Sequence, residues 1–188
     1  MMRSRKQKST GSGGRTDRRR KTERLAYSAL FAALAMILTA VDSMIPYNVG
    51  APGVKLGLAN LVILLVLYKM DLKSAAWINL IRILAVGFAF TGVMAMAYSL
   101  TGGFLSLLIM WALKKTGRFS MIGVSMAGGV SHNLGQMAVA ALTVGTGKIF
   151  LYFPILVYTG IAAGICMGII AWVVSAKIPD RLFTISGN

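Results

Sequence analysis

Acidic side chains are nearly missing from this chain. Of 188 residues, five are Asp or Glu, against 20 Lys or Arg. The five, Asp17, Glu23, Asp42, Asp71 and Asp180, stand far apart along the sequence except for the first two. Magnesium bound to a diphosphate needs clustered oxygen ligands, and no aspartate-rich motif is present to provide them. There is one histidine, His132, and one cysteine, Cys166. A lone cysteine excludes an intrachain disulfide and reads as a small apolar packing residue. One His and one Cys with scattered carboxylates give no zinc ligand set, so no metal or other cofactor is expected. No glycine-rich GxxxxGK[ST] loop occurs either, so any ATP would have to be consumed by partners. No nucleophile–base pair is apparent, and the chain is not expected to be an enzyme.

What is there is apolar. Hydrophobic residues make up 56 % and the mean hydropathy is +0.72. From about Leu25 to Ala176 the apolar text is nearly continuous, more than a soluble domain of this length can bury. A helix of ~20 residues crosses the ~30 Å hydrocarbon core. The predicted fold class is therefore an all-α integral membrane protein, a compact bundle of about six transmembrane helices. The spans run from about Leu25 to Ile45, Gly53 to Lys69, Leu72 to Phe88, Val93 to Leu113, Phe119 to Val144 and Lys148 to Ala176. The second is short, and Pro46–Pro52 marks the turn before it. Residues 25–177 form the membrane domain, 1–24 a disordered basic cytoplasmic tail and 178–188 a short C-terminal cytoplasmic tail.

The net charge of +15 is concentrated at one end, with ten of the 20 basic residues in the first 24 positions. That Ser/Gly/Arg-rich segment lacks apolar periodicity. Its end, "RRRKTER", abuts the first span, where a basic cluster attracts anionic lipid headgroups at ~1 kcal/mol per charge. Nucleic acid is not the expected partner. With the tail inside, the connections "KMDLK", "KKTGR" and "KIPDR" also lie inside. Seventeen basic residues then fall on the cytoplasmic side and three, Lys55, Arg82 and Lys148, fall outside or within the bundle. This bias predicts a multi-pass protein of the bacterial cytoplasmic membrane with both termini cytoplasmic.

Several polar residues interrupt the spans. Lys55 and Asn60 stand in "APGVKLGLANLVILLVLY", Asn79 and Arg82 one turn apart in the third span, and His132, Asn133 and Gln136 in "SMAGGVSHNLGQMAVAALT". An arginine at mid-membrane costs upward of ~2.5 kcal/mol and needs a partner or a wet cavity. Arg82 therefore either bonds carbonyls or amides to hold the bundle together, or meets a ligand. Ser125, Gly128, His132, Gln136 and Thr143 follow helical steps as one polar, small-residue stripe. The expectation is an outward-opening pocket walled by Lys55 and Asn60, floored by Arg82, with His132 and Gln136 opposite. Asp42, Lys55, Arg82 and Lys148 leave the outer half net positive by two, which suits an anionic or amphipathic anionic small molecule. Gly160, Gly164 and Gly168 lie a turn apart and permit close helix packing. Ala26, Ala29, Ala33 and Ala40 align on one face of the first span, as bundle packing or as a docking face for another membrane subunit.

"PGVKLGLANLVILLVLY", the Ala-rich first span and "GGVSHNLGQ" resemble the bacterial Gx transporter family, also called heptaprenyl diphosphate synthase component I. The likeness covers about Thr22 to Lys177. More distantly, the six-span layout is similar to the S components of energy-coupling factor vitamin transporters. That resemblance implies a substrate-binding membrane subunit of a small-molecule uptake system, for a vitamin, flavin or isoprenoid or quinone precursor. It further implies docking through Ala29 and Ala33 onto a coupling transmembrane subunit driven by ATPases. The family's second name implies the alternative, a noncatalytic membrane accessory or anchor subunit for a prenyl diphosphate synthase or quinone metabolism.

Overall fold

The computed structural model describes residues 13–44, 57–145 and 147–178. They form six α-helices and no strand: α1 (Gly13–Met44), α2 (Leu58–Lys69), α3 (Leu72–Val86), α4 (Gly92–Thr116), α5 (Met121–Val144) and α6 (Phe153–Lys177). Lys21–Met44, Leu72–Thr116 and Gly147–Lys177 are long and apolar enough to cross a membrane. The second of these stretches doubles back. A π-turn at Gly87–Thr91 leads to Gly92 at φ 82°, a conformation that favours glycine. Beyond it Gly103 of α4 packs on Asn79 and Ile83 of α3, so the two helices run antiparallel.

α5 is not among the apolar stretches, because its buried face carries Ser125, Ser131, Asn133 and Gln136. It lies between α4 and α6, which shield it on two sides. Its ends are set locally. The Ser120 side chain accepts the Gly123 N–H at 3.2 Å, and Gly145 closes the other end in the left-handed conformation.

The second span departs most from the sequence reading. α2 has 12 residues, about 18 Å of helix, too short to cross a ~30 Å core. Val62 to Leu67 are each no more than 3 % exposed. A helix apolar on every side belongs at the centre of a bundle, and α2 packs against all five other helices. One hydrophobic core surrounds it, built from Phe31 and Ala35 of α1, Ala75 and Ile78 of α3, Leu107 and Met110 of α4, Val124 of α5 and Ala171 of α6. Around this axis α1, α3, α4, α5 and α6 follow one another, while α1 and α6 make at most marginal contact. Lys114 donates to the Leu67 carbonyl at 2.6 Å and Lys69 to that of Ile178 at 3.0 Å, tying the C-terminal end of α2 to α4 and to the end of α6.

Two further expectations are corrected. The helix begins at Gly13, so residues 13–24 continue α1 instead of forming a structureless tail. Arg and Lys are good helix formers, and a helix already nucleated by its membrane half extends at little cost. Arg24 then pairs with Asp71 and donates to Ser74 at 3.2 Å, linking α1 to the start of α3. Cys166 is exposed on the outer face of α6 and is not a packing residue. Residues 1–12, the Pro46–Pro52 turn with Lys55, and 179–188 lie outside the described residues.

Candidate functional site

Two polar clusters interrupt the apolar interior, and Gly57 at the start of α2 touches both. The first joins α1 to α3. Arg82, 3 % exposed, donates through Nε and Nη2 to the Asn79 side-chain oxygen at 3.0 and 2.7 Å, and through Nη1 to Thr39 at 3.3 Å. Asp42, also buried, supplies the favourable negative charge. Asp42 in addition accepts the backbone N–H of Gly57 at 3.2 Å. Gly57, at φ 72°, opens α2 without a side-chain cap of its own. A carboxylate from α1 therefore satisfies the first free N–H of α2 and places negative charge at its N-terminus. A buried arginine so neutralised and bonded answers the cost of its desolvation. The Asn79 Nδ2 and the Ser106 Oγ find no partner among the described residues, although both are fully buried.

The second cluster is a cleft between α2, α5 and α6. It is lined by Gly57 and Asn60 of α2, Ser125, Gly129, His132 and Asn133 of α5, and Gly160, Ala163, Gly164 and Met167 of α6. Its volume is about 20 Å³, room for one water molecule. The α5–α6 wall is held by backbone contact. A Cβ placed on Gly129 would lie 2.3 Å from the Gly160 carbonyl oxygen, and one on Gly164 2.6 Å from the Met126 Cα. Only glycine permits that approach, the small-residue packing common to membrane helices. Asn133 donates to the Leu156 carbonyl at 2.7 Å, which fixes its amide between α5 and α6. His132 reaches the cleft from beside Gly102 of α4.

The candidate residues thus separate. Asn60, His132 and Asn133 come together in the cleft. Asn79 and Arg82 belong to the α1–α3 joint, with Arg82 turned toward Thr39. Gln136 is buried against Gly102 of α4, and Ala29 and Ala33 are exposed on α1. Sequence reasoning passed over Asp42 as the partner of Arg82. The available signal was that a chain with five acids places one of them inside a span. It also passed over Ala163 and Met167, which no sequence pattern distinguishes from packing residues. Among the described residues no three His, Cys, Asp or Glu side chains gather into a metal site.

Outside the spans, Asp71 is the N-cap of α3, accepting the Ser74 N–H at 2.6 Å. Partial burial acts to raise its pKa, but the bonds from Ser74 and the Arg24 charge outweigh that and hold it below its ordinary value.

Three long apolar stretches able to cross a membrane, packed with the other helices around a central apolar helix, define a helical membrane protein. The family model for heptaprenyl diphosphate synthase component I matches residues 31–174, well over half of the chain, and the chain belongs to that family. No curated protein matches it. No solved structure matches it either.

Proposed function

We propose that this chain is a noncatalytic membrane subunit that binds a small amphipathic molecule and passes it to protein partners, as the substrate-binding subunit of an uptake system does. The observation that carries the reading is the cleft. Asn60, His132 and Asn133 meet over a glycine-packed wall. Amide and imidazole groups convergent in an apolar setting are the usual makings of a ligand site. Both termini lie in the cytoplasm of a bacterial cell in this reading, as the distribution of Lys and Arg supports. The basic helical start of α1 would rest among anionic headgroups. Partners would dock on α1, where Ala26, Ala29 and Ala33 are exposed beside Leu30 and Ile37. A coupling membrane subunit with its ATPases fits such a smooth face.

The family description favours a second reading, a membrane accessory subunit for a soluble prenyl diphosphate synthase. With no carboxylate cluster among the described residues, catalysis would belong to that partner. A mild-detergent pull-down from the native host, with bound proteins identified by mass spectrometry, separates the two. Recovery of a coupling subunit with ATPases, lost in an Ala29→Trp/Ala33→Trp variant, is expected. Recovery of a soluble prenyltransferase alone would replace the first reading with the second.

A further inference from the structure

The sequence led to an anionic ligand because Lys55, Arg82 and Lys148 against Asp42 leave the outer half net positive. The cleft has a different character. None of the ten described lining residues is Asp, Glu, Lys or Arg, and Arg82 is engaged by Asn79 and Thr39 in the α1–α3 joint. An anion entering the cleft would lose its hydration without meeting a fixed countercharge among the described residues, at a cost of several kcal/mol. What the walls offer is hydrogen bonding. Asn60 makes no side-chain bond among the described residues, so both ends of its amide are available. Asn133 spends its N–H₂ on the Leu156 carbonyl and keeps its oxygen as an acceptor. Gly160, Gly164 and Ala163 form a low surface with no side chain larger than a methyl, and the Met167 thioether flanks it. Sulfur beside an aromatic edge is a favourable contact.

We propose that the cleft takes the uncharged, planar end of its ligand: a neutral ring carrying both hydrogen-bond donors and acceptors, such as a ring amide, and not a carboxylate or phosphate. This assignment rests on the binding role proposed above and names the chemistry of that same site. The closed cleft must widen to admit a ring, and its α5–α6 wall, joined backbone to backbone, is fixed by its glycines.

The test uses the full chain in lipid nanodiscs and three pairs of probes matched except in charge: nicotinamide with nicotinate, benzamide with benzoate, and indole-3-acetamide with indole-3-acetate. Binding is read by ligand-observed NMR. The neutral member of at least one pair should bind about tenfold or more tightly than its anionic partner, the scale on which burying an unpaired charge is felt. Ala163→Phe, which fills the cleft, should remove that signal, and Asn60→Leu should weaken it. Leu142→Ala, on the outer face of α5, should leave it unchanged. Equal binding or a preference for the anions overturns the neutral-ring assignment while leaving the binding role standing. Silence across all six probes, or binding indifferent to both cleft variants, removes the cleft as a ligand site and with it the reading of function.

Discussion

At the scale of single residues, Arg82 decides how the interior is understood. It was conspicuous in the sequence because a mid-span arginine is costly, and a partner was required. Which partner could not be read, since Asp42 stands 40 positions earlier and only the packing of α1 on α3 brings them together. Asn79, by contrast, was legible as a neighbour one turn away, and both its bonds to Arg82 are formed. If the pair is structural, breaking it from one side should cost more than removing both charges. Arg82→Met leaves Asp42 buried without its countercharge and should lower stability by about 3–5 kcal/mol. Adding Asp42→Asn should restore part of that loss, because an amide can still accept the Gly57 N–H. Thermal unfolding of the single and double variants in detergent measures both steps. Equal losses in the two would mean that Asp42 contributes nothing to holding Arg82.

At the scale of elements, helix contacts differ in what they tolerate. The glycines of α6 were readable as a close-packing face from their spacing, and each meets α5 backbone: Gly160 at Gly129 and Val130, Gly164 at Met126, Gly168 at Ile122. Gly129→Ala forces its new methyl against the Gly160 carbonyl and should destabilise the protein by about 1–3 kcal/mol, as overpacking does. Gly123→Ala, whose nearest neighbour lies at 3.6 Å, should be neutral or gain up to about 1 kcal/mol from helix propensity. A lower melting temperature for both variants would show that the approach of α5 and α6 is looser than these distances.

Asp71 makes a second prediction at the same scale. As N-cap of α3 it should be worth about 1 kcal/mol relative to alanine, with little added by its half-exposed pair with Arg24. Because its folded pKa lies below the ordinary 3.8, the contribution of the carboxylate is fully present above that value. It is lost as pH falls through the folded one. The melting-temperature gap between wild type and Asp71→Ala should stay constant from neutrality down to about pH 4 and narrow only below it. A gap that closes between pH 7 and 5 would assign the effect to another group.

At the scale of the molecule, the bundle is a glycine-packed slab of α4, α5 and α6 set against α1 and α3, with α2 as the axis between them. The ends of α3 through α6 were legible within a few residues, because short polar breaks such as "KMDLK" and "KKTGR" punctuate long apolar runs. The central position of α2 was not, since a short, mostly apolar run reads alike whether lipid or other helices surround it. Orientation follows from charge alone, and it is tested on the whole chain. Cys166 is exposed on α6, so the background is Cys166→Ser, with one cysteine introduced at a time. Lys148→Cys lies just past α5 and Lys115→Cys at the end of α4, and both positions are exposed. A membrane-impermeant maleimide added to intact cells should label the position at 148 and reach that at 115 only after permeabilisation. The converse pattern would invert the molecule and move the Gly57 end of the cleft toward the cytoplasm, turning an uptake site into one filled from within. Labelling of both positions from outside would mean that α5 does not cross. The slab would then have to lie partly along the surface, which the exposed Ile165, Ile169, Trp172 and Val173 of α6 argue against.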